Sequence, residues 1–355
     1  MPVEPIVESA IAYLQAEVRP NAQAIDEDPE ALELALKGLC ERGLMALRRP
    51  TEFGGPALSE ARFRTFQEEV ARVSGALAFL QTQHQSAVSM IARSDNASLK
   101  GTYLPRMHDG GRLVGIGFSQ LRRAGPPMMR AIRIEGGYRL DGSVPWITGW
   151  TFFPEFLVGA TLPDGDSVFG VMPLASVAEG DSNIELSPAM RLAAMESAMT
   201  VSATIENWFL PDDLVAFVKP ADWIKNNDMI NVTLQGHFAL GCARAGLDIL
   251  LEASDKKPLP FLREGWNALD HELESCRAAI TATSPVETAE PERLRLRAWA
   301  IDLAVRCAHA AITASSGAAN SMSHPAQRVY REALVFTVSA QTTPIMEATL
   351  NRLVR

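Results

Sequence analysis

The sequence predicts an α+β protein in which a β domain lies between two helical parts. Apolar residues recur at helical spacing up to about residue 112 and again from about residue 221. Between these parts apolar and polar residues alternate, and Asp-Gly pairs mark tight turns. We therefore expect an N-terminal helical domain over 1–112, a middle antiparallel β domain over 113–220 and a C-terminal helical domain over 221–355.

The N-terminal part is predicted to be a series of helices. Apolar residues within 6–18 form one stripe at helical spacing. Asp28-Pro29-Glu30 is predicted to begin the next helix, because proline suits the first helical turn and carboxylates suit the positive end of the helix. Gly43 is predicted to end it. Further helices are expected over 59–74 and 75–93.

The middle part carries the signals of hairpins. Tyr138 and Leu140 indicate a strand that runs into a tight turn at Asp141-Gly142. A second pair, Asp164-Gly165, separates two more apolar runs and predicts another hairpin. Residues 201–209 predict one further strand before the chain returns to helix.

The C-terminal part is again helical. Residues 234–253 contain many Gly and Ala residues, which allows neighbouring helices to approach closely. Residues 292–314 predict a long helix, and 325–355 supply the last ones. Two charged runs, Glu68-Glu69 and the Glu/Arg run over 292–297, are interpreted as solvated helix faces with paired charges.

Composition excludes several classes of protein. The chain is 47% hydrophobic, so it has the material for a large core and is not globally disordered. Its net charge of −9 argues against a nucleic-acid partner, which requires a basic face. No apolar run approaches the roughly 20 residues that span a bilayer. The four cysteines are scattered without metal-ligand spacing, so no metal site is expected, and the start of the chain lacks the pattern of a secretory signal, so we expect a cytoplasmic protein.

Short motifs occur in a characteristic order along nearly the whole chain. They are Gly43-Leu44, the Pro-Thr-Glu-Phe-Gly-Gly segment 50–55, the Leu-Pro…Gly segment 104–110, the segment 140–149 ending Trp-Ile-Thr-Gly, Phe209-Leu210-Pro211, Ala239-Leu240-Gly241, and His324-Pro325 with Arg331-Glu332-Ala333. This order resembles the acyl-CoA dehydrogenase family. The resemblance implies a C-terminal domain like a four-helix bundle, an FAD cofactor, oxidation of the CH–CH bond of an acyl thioester, and a homodimer or homotetramer.

A flavin contact is predicted at the end of segment 140–149. An isoalloxazine ring needs a flat wall and a hydrogen bond near N5, and Trp146 and Thr148 stand two residues apart, on one side of a strand. Both residues are also ordinary in sheets, so a purely structural role stays open. The resemblance further implies cofactor contacts at Phe118, Ser119, Gly317 and Thr342.

The departures from the family pattern concern the chemistry. The resemblance places the usual catalytic Glu at Ala340, or in some members at Asn231, and neither side chain accepts a proton. Glu347 and Asp228 are candidates for a relocated base, although both are also explained as exposed helix or cap carboxylates.

The flavin and phosphate contacts are altered as well. The family's flavin loop is replaced after Ser119 by a stretch with Arg122 and Arg123, either phosphate contacts or a solvated pair. The family's Arg for the pyrophosphate of a neighbouring subunit's FAD gives way to Lys256 and Lys257. FMN, or no flavin, is therefore an alternative to FAD.

Three functions remain open at this point. The first is a flavin dehydrogenase of acyl thioesters with a relocated base. The second is a reduced-flavin monooxygenase of the same fold, for which His84, in a polar run within an apolar helix, is a candidate proton donor with Ser119 as its partner. The third is a non-catalytic binding module that keeps the fold.

Overall fold

Six helices form the N-terminal part of the structure, a computed structural model that describes residues 3–284 and 287–354. They are α1 (Val3–Tyr13), α2 (Ala22–Glu27), α3 (Pro29–Glu41), α4 (Glu60–Val73), α5 (Gly75–Ala92) and α6 (Ala97–Tyr103). Side-chain caps set their starts: Asp28 accepts from the Glu30 amide at 2.9 Å, and Ser74 accepts from the Leu77 amide at 3.2 Å. Gly43 follows α3 in the left-handed conformation, at φ +67°.

One sheet forms the middle part. Its strands in the described residues are β1 (Val114–Gly117), β2 (Met129–Ile134), β3 (Gly137–Thr148), β4 (Glu155–Thr161), β5 (Ser167–Pro173), β6 (Val177–Glu179), β7 (Ser182–Leu186), β8 (Thr200–Pro211) and β9 (Val215–Lys219). The order is β6-β7-β8-β3-β2-β4-β5-β9, and β1 pairs with β4. Because β1 runs parallel to β4, the sheet is mixed, although most of its strand pairs are antiparallel as predicted. The first strand comes directly from the N-terminal helices and joins the sheet without a hairpin.

The Asp-Gly pairs behave differently from each other. Asp164-Gly165 does connect the antiparallel strands β4 and β5, as predicted. The predicted turn at Asp141-Gly142 is wrong, because β3 runs straight through it. The turn from β2 to β3 lies earlier, at Gly136, where φ is +77°. Gly142 instead lies at a β-bulge, where the register of β3 against β8 shifts. Its φ of +139° is a backbone conformation that favours glycine.

Six helices form the C-terminal part of the described chain. They are α7 (Trp223–Asn231), α8 (Gly236–Lys256), α9 (Pro260–Thr281), α10 (Glu290–Ser315), α11 (Pro325–Val338) and α12 (Thr343–Leu353). The small residues of α8 let it approach its neighbours, as predicted: a Cβ at Gly241 would overlap the backbone of α4, and one at Gly246 would overlap the backbone at Cys307 in α10. The predicted α+β fold with helical ends is confirmed.

The largest core cluster joins all three parts of the chain, since it includes Leu80 of α5, Ile147 of β3 and Phe336 of α11. No helix in the described ranges is long and apolar enough to cross a membrane. Within the same ranges, no group of three or more His, Cys, Asp or Glu residues is arranged to hold a metal ion. The sheet and the two sets of helices therefore pack on shared apolar surfaces.

Candidate active site

The end of β3 presents one exposed aromatic ring. Trp146 is 46% exposed, whereas Ile147 beside it is fully buried. Thr148 is buried, and its Oγ1 lies 3.0 Å from Oγ1 of Thr200 on the paired strand β8. The register against β8 shifts between Val144 and Ile147, so the strand is irregular at the tryptophan. The two residues predicted to face a flavin thus differ in environment: one is an open flat surface and the other a partnered buried hydroxyl.

The turn after β1 lies against β3 and carries the next two predicted residues. Phe118 is buried, and the Oγ atom of Ser119 is buried without a hydrogen-bond partner in the described chain. Arg122, three residues on, donates two hydrogen bonds to Asp228 of α7, at 2.7 and 2.8 Å. The arginine that was considered as a phosphate contact and the aspartate that was considered as a base are therefore bound to each other.

The link between α11 and α12 contains the last predicted site residues. Ala340 has a left-handed backbone, with φ +51°, which is unusual for a residue with a Cβ. Oγ1 of Thr342, at the N-terminal end of α12, is buried and has no partner among residues 3–284 and 287–354. Two predicted cofactor positions, Ser119 and Thr342, thus carry buried hydroxyls that protein atoms leave unsatisfied.

Arg297 of α10 supports this link and was not predicted to do so. It is 1% exposed, and its Nη2 donates to the backbone oxygens of Ser339 at 3.2 Å and Phe336 at 3.4 Å, at the C-terminal end of α11. Burial lowers the pKa of Arg297 to about 10. The interpretation of 292–297 as a solvated face is wrong for Arg293 and Arg297, which are both buried. The signal in the sequence is their spacing of four, which puts them on the face that continues to Ile301.

His84 has no access to solvent. Its Nε2 lies 2.8 Å from the Met107 oxygen, and its Nδ1 lies 2.9 Å from the Val114 amide nitrogen. This pattern fits the neutral tautomer with hydrogen on Nε2, which donates to the carbonyl, while Nδ1 accepts. Burial lowers the pKa of His84 to about 4, although both backbone contacts raise it. The side chain holds β1 against α5, and Ser119, its expected partner, does not bond to it.

Gly317 lies in a different region from Trp146, in the turn Ser316–Asn320 after α10. Nζ of Lys257 donates to the Ala314 oxygen at 2.5 Å, which brings the lysine pair next to this turn. Two clefts open on the C-terminal helices: an apolar one of about 540 Å³ and one of about 460 Å³ that is lined in part by Lys256 and Lys257. Neither is lined by Trp146 in the described structure, so the pockets and the predicted ring site are separate.

Comparison with known proteins identifies the relatives of this chain. Residues 3–111 match the family model for the N-terminal domain of acyl-CoA dehydrogenases. The probable acyl-CoA dehydrogenase YngJ of Bacillus subtilis is 21% identical over 368 residues, covering 96% of this chain and 94% of the relative. Residues 3–111 therefore match the N-terminal domain of acyl-CoA dehydrogenases, and nearly the whole chain is similar to a probable member of that family.

Other comparisons agree with this family. Mitochondrial isovaleryl-CoA dehydrogenase of Solanum tuberosum is 24% identical over 216 residues, a match that spans 59% of this chain and only 52% of the relative. Among solved structures, butyryl-CoA dehydrogenase of Megasphaera elsdenii aligns with a TM-score of 0.82 at 16% identity, covering 99% of this chain and 98% of that one. Glutaryl-coenzyme A dehydrogenase aligns at 0.83 with 17% identity, covering 99% and 95%. At these identities the structural matches establish the fold.

The positions at which an acyl-CoA dehydrogenase base was expected are occupied as follows. Ala340 contributes only the left-handed turn described above. Asn231, at the end of α7, donates to the Asn227 oxygen at 2.7 Å. Glu347 lies exposed on α12. Of the two alternative carboxylates, Asp228 is bound by Arg122, whereas the side chain of Glu347 is exposed to solvent.

Proposed function

We propose that this acyl-CoA dehydrogenase relative is a flavin-dependent oxidoreductase that acts on the CH–CH bond of an acyl thioester and binds FAD. The similarity to acyl-CoA dehydrogenases supports the reaction class. The observation that carries the proposal is that Ser119 and Thr342, two positions at which the resemblance predicts cofactor contacts, each bury a hydroxyl oxygen without a partner in the described chain. Leaving a buried hydroxyl unsatisfied costs about 1–3 kcal/mol, and the polar edge of a flavin ring offers the missing partners.

The residues present fit a flavin in three respects. Trp146 offers an exposed flat surface for ring contact. Oγ1 of Thr148 accepts from Thr200 in one orientation and then keeps its own hydrogen to donate to a ligand. Phe118, which precedes Ser119, is buried and packs against Phe169, so it gives the turn after β1 an apolar support. When bound, FAD would supply the two-electron acceptor for a hydride from the β-carbon of the acyl group.

Proton removal is the open part of the proposed reaction. The substrate's α-proton needs a base, and a methyl group at Ala340 or an amide at Asn231 does not supply one. Glu347 is the proposed replacement, since its carboxylate is exposed on the helix that follows Thr342. His84 is not proposed, because both of its ring nitrogens bond to backbone and burial keeps it neutral.

We also propose that the protein is a homo-oligomer, built through the C-terminal helices. Large apolar side chains are exposed along α11 and α12: Leu334 is 53% exposed, Leu350 55% and Leu353 57%. A second copy of the chain would cover this face. Gly317 and the adjacent Lys257 are proposed to contact the FAD phosphates of the partner, with Lys257 as a point charge in place of arginine. A Leu350→Asp variant should then shift the mass in light scattering towards the monomer, whereas an unchanged mass would exclude this face.

The proposal is tested first by the visible spectrum of the purified protein. We expect flavin absorbance, or its appearance on reconstitution with FAD, and loss of that absorbance when acyl-CoA thioesters are added under anaerobic conditions. A colourless protein that takes up neither FAD nor FMN would indicate the non-catalytic module. Substrate-stimulated oxygen consumption by reduced flavin, without thioester bleaching, would indicate the monooxygenase.

Variants at the unsatisfied hydroxyls test the site itself. Ser119→Ala and Thr342→Val should each weaken FAD binding about 5- to 10-fold, the loss of one hydrogen bond. Ser89→Ala and Thr337→Val are matched controls, because those hydroxyls already donate to oxygens of their own helices at 3.0 and 2.9 Å. Equal FAD affinity in all four variants would place the cofactor elsewhere.

A further inference from the structure

A buried polar cluster lies where the three parts of the chain meet. Asp26 of α2 is 1% exposed, and its Oδ2 lies 2.8 Å from Nη1 of Arg331 in α11. The next residue, Glu332, is fully buried and accepts from Arg328 at 2.6 Å and from the Gly75 amide at 3.0 Å. Removing charged groups from water costs several kcal/mol for each ion, so such a cluster is a costly way to achieve stability alone.

This cluster binds a loop of the β domain, residues 193–199. Oδ1 of Asp26 accepts from the Met195 amide at 2.9 Å, and Arg331 donates to the Ala193 oxygen at 3.0 Å. The hydroxyl of Ser197 donates to the Ile25 oxygen at 2.6 Å. The loop's own backbone is strained, since φ is +57° at Met195 and +50° at Met199. Contacts from α2 and α11 therefore hold it in a conformation that its sequence does not favour.

The loop in turn holds the end of β3. The Gly149 amide donates to the Ala198 oxygen at 2.9 Å, and the Trp150 amide donates to the Met199 oxygen at 3.1 Å. Directly after the loop, Thr200 contacts Thr148 through their hydroxyls. Two hydrogen-bonded steps thus connect the Asp26 carboxylate to the strand end that carries Trp146.

We infer that Asp26 and Arg331 are positioning residues that fix the end of β3 relative to α11 by holding loop 193–199. These are the two supports of the proposed flavin site, because Trp146 and Thr148 lie on β3 and α11 leads to Thr342. The role at the flavin rests on the proposed function, whereas the mechanical coupling from Asp26 to β3 does not.

Hydrogen exchange tests the coupling without any cofactor. Asp26→Asn keeps the size of the side chain and its acceptor for the Met195 amide, but it removes the charge that binds Arg331. We expect the Gly149 and Trp150 amides to exchange about tenfold faster or more, while strand β5, which pairs with β4 and β9, is unchanged. Asp248→Asn is the matched control, since Asp248 binds Arg72 at 2.8 and 2.9 Å and joins α8 to α4. Unchanged exchange at 149–150 in Asp26→Asn, or an equal rise in the control, would overturn the inference.

A second variant and a second measurement guard against a simple folding defect. Arg331→Lys keeps the charge, but its shorter side chain does not place a donor at the position of Nη1, which contacts both Asp26 and Ala193, so a smaller rise at 149–150 is expected. In protein reconstituted with FAD, Asp26→Asn should shift the visible flavin spectrum and weaken FAD binding about fivefold. Failure to bind FAD in the wild-type chain would refute the proposed function, and the exchange result would still decide the coupling. Coupled exchange together with an unshifted flavin would limit the role of Asp26 to the β3 end.

Discussion

His84 provides a sharp prediction about the pH dependence of stability. The side chain is fully buried in α5 between the Met107 oxygen and the Val114 amide. Burial lowers its pKa from 6.5 to about 4 in the folded chain, whereas in the unfolded chain it is expected near 6.5. As pH falls below 6.5, the unfolded chain takes up a proton at this residue and the folded chain does not.

The expected loss follows from that difference in proton binding. Stability from the neutral His84 is fully present above pH 6.5 and decreases as the pH falls towards 4, because a lowered folded-state pKa favours the unfolded protonated form. One proton changes the free energy of unfolding by about 1.4 kcal/mol per pH unit, so the interval from 6.5 to about 4 corresponds to about 3 kcal/mol.

The assay compares wild type with His84→Gln by urea unfolding between pH 7.5 and 4, followed by tryptophan fluorescence. Gln keeps a donor for the Met107 oxygen and does not titrate. We expect the wild type to be the more stable protein at pH 7.5 and its advantage to shrink by about 3 kcal/mol at pH 4. His271→Gln, at an exposed position of α9, controls for the loss of a surface histidine.

Parallel pH profiles for wild type and His84→Gln would refute this reasoning. They would mean that His84 takes up a proton equally in the folded and unfolded chain, and so that it faces solvent or an acid instead of two backbone groups. That result would also restore His84 as a candidate proton donor.

Further predictions concern helix packing and a buried ion pair. Gly241→Ala should cost at least about 2 kcal/mol in the free energy of unfolding, because its Cβ would overlap the α4 backbone, whereas Gly265→Ala on α9, which faces open space in the described structure, should stabilise by about 0.5–1 kcal/mol. Thermal unfolding of both variants measures the contrast. Glu68→Gln should cost about 2 kcal/mol at pH 7, because Arg277 would lose its buried carboxylate partner and keep only Glu274. Burial raises the pKa of Glu68 but its hydrogen bonds lower it overall, so this cost should diminish as the pH falls below 4.5, and a constant cost would contradict the pair.

Local signals in the sequence were sufficient for most of the helices. The predicted starts at Asp28-Pro29 and Ser74-Gly75 agree with α3 and α5, because a cap and the turn it satisfies are adjacent in the chain. The turn at Asp164-Gly165 was predictable because the two residues that form a tight turn are also adjacent in the chain. Asp141-Gly142 has the same residues, but its pairing with β8, more than 60 positions later, makes it a bulge within a strand.

The candidate site was predictable only in part. Trp146, Ser119 and Thr342 came from motifs, while their exposure or lack of partners depends on which elements pack around them. Arg297 and Glu68 were interpreted as surface charges, because a charged residue on an amphipathic helix is usually solvated. Both residues are buried because neighbouring helices cover a second face of the helix that carries them. The spacing of apolar residues along the sequence does not reveal this second covered face.

Contiguous residues encode the order of helical, β and helical parts, the helix boundaries and the close-packing face of α8. Periodicity, caps and small side chains act over a few positions, so they can be read directly. The parallel pairing of β1, the burial of Arg297 and the contacts of Asp26 with loop 193–199 and Arg331 depend on residues from 39 to more than 300 positions apart. Only the folded chain brings those groups into contact, and with them the supports of the proposed site.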